Sequence, residues 1–150
     1  MLTETLKTLF NRDLNKLKSE IESYKNDANL WIIDKSIANS AGNLCLHLIG
    51  NINTYIGATL GGSNYIRNRE LEFSLKNVPK QELINMIEAT IIVVNETVGK
   101  ITEEQLNSEY RTLVFQEKTS TEFFLVHLTT HLAYHLGQIN YHRRLLDDEL

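Results

Sequence analysis

Five histidines are the residues of this 150-residue chain that are best suited to chemistry, and four of them fall within one segment of 16 residues. Steps of four, four and seven residues separate these four, so on a helix they form one slowly drifting line. The line contains His127, His131, His135 and His142, and it also includes Phe124 and Gln138. Apolar residues at 128, 132 and 139 flank it. This pattern indicates a helix face that is turned towards a core.

Histidines four residues apart on a helix can bind one metal ion together. Their Cβ atoms lie about 6 Å apart, which lets two rings converge at Zn–N distances of about 2.0–2.1 Å. A third nitrogen ligand would come from another helix, where the remaining histidine is His47. Three protein ligands leave positions open for water or substrate, as in catalytic sites.

We expect one metal ion rather than two, because the inner faces offer few carboxylates. The Glu-x-x-His pairs that are typical of di-iron bundles are absent from the sequence. Three imidazoles suit Zn, Ni, Cu or Fe, and the ligand type alone does not choose among these divalent transition metals.

Four long helices are expected to position these residues. Apolar residues recur at steps of three and four, and the expected helices span 2–24, 36–60, 79–98 and 119–146. Residues 62–78 lack this periodicity and are predicted to form a long crossover loop between helices two and three. We therefore predict one all-α domain over residues 1–150, folded as a four-helix bundle.

Capping residues suggest where two of these helices begin. Asp34 and Ser36 are good N-caps for the second helix. Thr119 followed by Glu122 three residues later has the pattern of a capping box for the fourth helix.

Composition argues against several classes of function. The net charge of −4 is unfavourable for binding nucleic acid, which needs a basic surface. No apolar run reaches the length of about 18 residues that crosses a membrane, and no targeting segment is visible. The single cysteine, Cys45, cannot form an internal disulfide, which suits a reducing cytoplasm. We expect a cytoplasmic protein without nucleic-acid or membrane partners.

The combination of His47 on helix two with HLTTHLAYHLGQINYHRR on helix four resembles the DinB/YfiT-like superfamily. The resemblance covers nearly the whole chain and includes the stretch AGNLCLHLIGNINTYIGATLGG and residues 65–73. It implies a four-helix bundle in up-down-down-up order, with a long crossover between helices two and three. It also implies a homodimer and a divalent-metal site formed by His47, His131 and His135.

Three further residues are candidates for roles near such a site. His127 could replace His135 as the partner of His131, or lie beside the ligands as a hydrogen-bond donor. Gln138 could orient a ligand ring or a bound water, and Asn43, one turn before His47, could line a pocket. We expect His142 to be structural.

Other residues near the expected site have simpler readings. Cys45 is expected to be a small buried side chain. Arg67 and Arg69 could bind an anionic substrate, but Glu70 and Glu72 beside them favour local ion pairs.

Two classes of function follow. The resemblance implies a metal-dependent transferase that acts on a small-molecule substrate with a low-molecular-weight thiol, through a metal-activated thiolate. A metal-dependent hydrolase is the alternative within the enzyme class. The second class is a non-catalytic, metal-binding or stress-related bundle. The sequence identifies no general base and assigns no catalytic residue.

Overall fold

The computed structural model describes residues 1–147, and over these residues the protein is all-helical. Its α-helices are α1 (Leu2–Glu22), α2 (Ala41–Ile52), α3 (Arg69–Ser74), α4 (Lys80–Val98), α5 (Glu103–Asn107) and α6 (Thr121–Leu146). A 3₁₀-helix spans Asp27–Trp31, and a π-helix over Asn53–Ala58 continues α2. The expected domain runs to residue 150, and its last three residues lie outside the described ones. The all-α prediction is confirmed.

The four long helices pack as a bundle requires. Helix α1 packs against α4 and α6, and α2 packs against the same two helices. The apolar stripe predicted for α1 is buried in the shared core; its members are Leu6, Phe10, Leu14, Leu17 and Ile21. Within residues 1–147, every helix is too short or too polar to span a lipid bilayer.

Helix α2 begins later than predicted and is buried more completely. Its N-cap is Ser40, whose hydroxyl accepts a hydrogen bond from the backbone N–H of Asn43. The predicted start near Asp34 and Ser36 is wrong, because residues 32–39 form an irregular segment before that cap. Every residue of α2 is buried, since α3, α4 and α6 all pack against it.

The crossover between α2 and α4 is more ordered than the loop that we predicted over 62–78. It contains α3, which packs against α2. The buried side-chain amide of Asn43 donates hydrogen bonds to the backbone carbonyls of Glu72 and Leu75, at 2.9 and 2.8 Å. These two bonds hold α3 against the helix that carries His47.

Helix α6 begins at Thr121 and ends at Leu146, and its C-terminal end is the predicted one. The predicted capping box at Thr119 is wrong, because the N-cap is Ser120 and its hydroxyl accepts from the backbone N–H of Phe123. Glu122 is therefore one position too early to complete a capping box.

Candidate metal centre

Three histidines from two helices converge where α2 packs against α6. His47 comes from α2, while His131 and His135 lie one turn apart on α6, and one ring nitrogen of each lies within 4.8 Å of the others. The Nε2 atoms of His47 and His131 are 3.3 Å apart. Two nitrogens bound tetrahedrally at 2.0–2.1 Å from one ion would be separated by about 3.3–3.4 Å. The spacing of these two donors therefore fits a shared metal ion.

The imidazole of His47 is oriented by a buried carboxylate. Its Nδ1–H donates to Oε1 of Glu72 over 3.1 Å. Donation through Nδ1 leaves the lone pair of Nε2 directed at the cluster, because a neutral imidazole carries one proton. A carboxylate behind a histidine ligand is a common arrangement in metal sites, where it fixes the tautomer and increases the basicity of the ligand.

Arg67 holds the Glu72 carboxylate in place. Its Nε and Nη2 atoms donate to the two carboxylate oxygens over 2.8 and 3.0 Å, which is a bidentate pair. Glu72 is only 5% exposed, so an unpaired carboxylate at this position would be unfavourable.

Gly50 makes room for that carboxylate. It lies one turn after His47 on α2, and a Cβ at position 50 would lie only 1.9 Å from Oε2 of Glu72. The absence of a side chain on Gly50 therefore lets Glu72 approach α2 and reach His47.

A second ring partner orients His135. Its Nδ1–H donates to Oε1 of Gln138 over 2.7 Å, so the Nε2 lone pair of His135 is left free. His131 differs, because its Nδ1 is buried and has no hydrogen-bond partner within the described residues. His47 and His135 thus both have Nδ1 engaged and Nε2 available.

The surroundings of His47 and His131 favour the neutral form of these two rings. Burial lowers the pKa of His47, and the neighbouring Glu72 only partly opposes this. Burial, together with the nearby imidazoles of His135 and His47, lowers the pKa of His131 to about 4. Neutral imidazoles are the form that binds metal ions.

The other candidate residues lie in different surroundings. The ring of His127 packs edge-on against Phe115, with centroids 4.7 Å apart, and it is not part of the converging trio. Asn43 is fully buried and binds the α3 backbone through its amide, so it supports Glu72 indirectly. Cys45 is buried, as expected, and burial raises the pKa of its thiol to about 12.

His142 has a structural environment. Its Nδ1 accepts a hydrogen bond from the hydroxyl of Tyr24 at 2.7 Å, and its Nε2–H donates to the carbonyl of Ile32 at 2.8 Å. Both ring nitrogens are therefore used in joining α6 to the segments that follow α1.

The sequence did not reveal the role of Glu72. The local ion pair with Arg67 was expected and is present, but it is buried and touches His47. We expected few inner carboxylates, and Glu72 is one of the few that are buried. Gly50, a glycine inside a helical pattern one turn from His47, was the available signal of a close approach.

Comparisons with known proteins give a family and a structure of similar fold, and they leave the function open. The family described as "Protein of unknown function (DUF1572)" matches residues 3–150. A solved structure, of a conserved protein from Enterococcus faecalis, is similar with a TM-score of 0.78 at 16% identity, covering 97% of each chain. At that identity the likeness shows the fold alone. No curated protein matches the sequence.

Proposed function

This chain belongs to the DUF1572 family of proteins of unknown function, and we propose that it is a DinB-like bundle with a mononuclear divalent-metal site. His47, His131 and His135 hold the ion, and the four long helices follow the up-down-down-up order. We further propose that the protein is a homodimer, which light scattering after gel filtration tests; a monomer at micromolar concentration would contradict this.

The metal proposal rests on one observation: two of the three rings have a hydrogen-bond acceptor at the ring nitrogen that points away from the cluster. Glu72 binds Nδ1 of His47 and Gln138 binds Nδ1 of His135, so both Nε2 lone pairs remain available. A polar seam without metal would also account for the 3.3 Å contact between Nε2 of His47 and Nε2 of His131, but it does not need an oxygen acceptor behind two of the three rings. The donor set, three imidazole nitrogens, fits Zn, Ni or Fe.

We propose that this site supports transfer of a low-molecular-weight thiol to a small-molecule electrophile. A metal ion bound there would act as a Lewis acid that converts a bound thiol into a thiolate at neutral pH. In the transfer, the thiolate sulfur donates an electron pair to an electrophilic carbon. The leaving group departs with its bonding pair, and the thiol proton passes to water.

The surroundings of the triad favour thiol transfer over hydrolysis. Glu72, the carboxylate that touches the triad, is committed to Arg67 and His47 in the described structure. It is therefore poorly placed to accept a proton from an attacking water. A metal-bound thiol is deprotonated outright, whereas the pKa of metal-bound water falls only to about 7, so the thiol depends less on a separate base.

Cobalt tests this proposal, because its absorption reports both coordination number and thiolate binding. Protein loaded with one equivalent of Co²⁺ is titrated with 2-mercaptoethanol and, as a matched control, with ethylene glycol. We expect a sulfur-to-cobalt charge-transfer band with the thiol only, in the wild type and in His127→Ala but not in His47→Ala. Bound cobalt that shows no band at saturating thiol would contradict the transferase proposal.

A further inference from the structure

A cavity of about 750 Å³ lies beside the histidine trio. It is formed between residues 34–39 and the second half of α6, and its wall includes His135 and Gln138. Pockets for small molecules usually have volumes of about 300–1,000 Å³, so this cavity has the right size. A molecule bound there can contact His135, one of the proposed metal ligands, and Gln138, whose amide orients His135.

One face of α6 lines this cavity. Tyr134, Gln138, Tyr141 and Leu145 follow steps of four, three and four residues, which places them on one side of the helix. Tyr134, Tyr141 and Leu145 are each more than 60% exposed. Two tyrosines and a leucine exposed together beside the amide of Gln138 form the kind of largely apolar patch that marks a binding site.

The opposite wall is a turn with an unusual backbone. Lys35 has φ = 52°, in the left-handed region that a lysine seldom adopts. The segment is fixed on both sides, by the hydrogen bond from His142 to Ile32 and by the Ser40 cap of α2. The backbone of this wall is therefore anchored at both ends.

The charges around the cavity nearly cancel. Asp34 and Lys35 are adjacent and opposite in sign, and the remaining lining is mostly apolar, including Ile37 and Leu44. No cationic cluster that would bind an anionic headgroup or a phosphate lines the wall in the described residues. The lining therefore suits an uncharged and largely apolar molecule better than a charged thiol.

We propose that this cavity binds the second substrate, an uncharged and largely apolar small molecule, against His135 and Gln138. To call the bound molecule a substrate rests on the proposed function, but the binding site itself does not depend on the metal. The cavity is therefore tested on metal-free protein.

Two fluorescent probes that share an anilinonaphthalene body test the site. N-phenyl-1-naphthylamine is uncharged, and 8-anilinonaphthalene-1-sulfonate is its anionic relative. Ile37→Lys and Leu145→Lys each place a cation at an exposed position of the wall. Ile92→Lys makes the same kind of change at an exposed position of α4 that does not line the cavity.

We expect the uncharged probe to bind at least tenfold more tightly than the sulfonate. Ile37→Lys and Leu145→Lys should each weaken binding of the uncharged probe at least tenfold. Ile92→Lys should change the dissociation constant of that probe less than twofold. Equal affinity for the two probes would overturn the uncharged class. The proposed site would be overturned if all three substitutions had equal effects. It would also be overturned if probe binding fell as the protein concentration rose, because a second copy of the chain would then cover this face.

A second arm locates the probe relative to the trio. Co²⁺ absorbs visible light weakly and quenches a nearby fluorophore, so loading the wild type with Co²⁺ should reduce the fluorescence of bound probe. In His47→Ala the probe should bind equally well but escape quenching. Loss of metal binding in the wild type would refute the proposed function and leave the cavity result intact. Bound cobalt without quenching would instead refute the placement beside His135.

Discussion

Replacing Glu72 with glutamine tests whether the carboxylate behind His47 matters for metal binding. The substitution keeps the size of the side chain and removes its charge. Glu72 accepts from Nδ1 of His47 over 3.1 Å and from Arg67 over 2.8 and 3.0 Å. A neutral amide accepts these hydrogen bonds more weakly, so the Nε2 lone pair of His47 becomes less basic and less well oriented.

The size of the effect follows from these contacts. Loss of a hydrogen-bond partner behind a metal ligand costs about 10- to 100-fold in metal affinity, which equals about 1.4 to 2.7 kcal/mol. The metal-free protein is also destabilised, because Arg67 keeps its charge with no carboxylate; breaking a buried ion pair costs about 3 kcal/mol or more. Metal affinity and folding must therefore be measured separately.

The assay is a competition between the protein and a chromophoric chelator for Zn²⁺, at a temperature where circular dichroism shows every variant to be folded. Glu70→Gln is the matched control, since Glu70 lies on the same short helix and is exposed. Glu72→Gln with Arg67→Met removes both charges. It should recover stability while the metal affinity stays low. Long-range ¹⁵N correlation spectra of the metal-free protein report the His47 tautomer directly.

A metal affinity for Glu72→Gln within twofold of the wild type would refute this reasoning, provided that the protein is folded. The same conclusion follows if Glu70→Gln weakens binding as much as Glu72→Gln does. The Glu72 carboxylate would then serve the packing of α3 and not the metal site.

Two other substitutions test neighbouring parts of the account. Gly50→Ala should weaken Zn²⁺ binding about tenfold in the chelator assay, because the added methyl group displaces Glu72 from His47. The loss is expected although alanine favours helices by about 1 kcal/mol relative to glycine. Unchanged metal affinity would refute the close approach of Glu72 to α2. Burial lowers the pKa of His142, so as the pH falls below about 6.5 the unfolded state binds protons first and stability decreases. His142→Gln should flatten that decrease in urea unfolding measured from pH 8 to 5, whereas an unchanged slope would contradict the assignment of His142 as a buried neutral ring.

The sequence predicted the parts of the structure that depend on local periodicity. The stripe of α1 and the histidine line of α6 follow from steps of three and four residues, and both are present. The convergence of His47 with His131 and His135 was implied by the family resemblance, and these three rings do lie together. Periodicity identifies which face is buried, but it does not identify the partner of that face.

What the sequence could not predict depends on contacts between distant segments. Glu72 lies among charged residues in a region without helical periodicity, which is typical of a solvated loop. Its burial depends on contacts from elsewhere in the chain, since Asn43 holds the α3 backbone and Gly50 leaves space for the carboxylate. Similarly, the N-cap of α2 is Ser40 and not the predicted Ser36, since the start of a helix depends on where the preceding segment packs.

The stoichiometry of metal binding tests the central claim most directly. Metal-free wild type and the variants His47→Ala, His131→Ala and His135→Ala are titrated with Zn²⁺, with His127→Ala as the control. We predict one equivalent in the wild type and in His127→Ala, and none in the three triad variants. Free metal at 100 times the dissociation constant should raise the free energy of unfolding of the wild type by about 2.7 kcal/mol. A wild type that binds no divalent metal, or a site that needs His127 and not His135, would contradict the account.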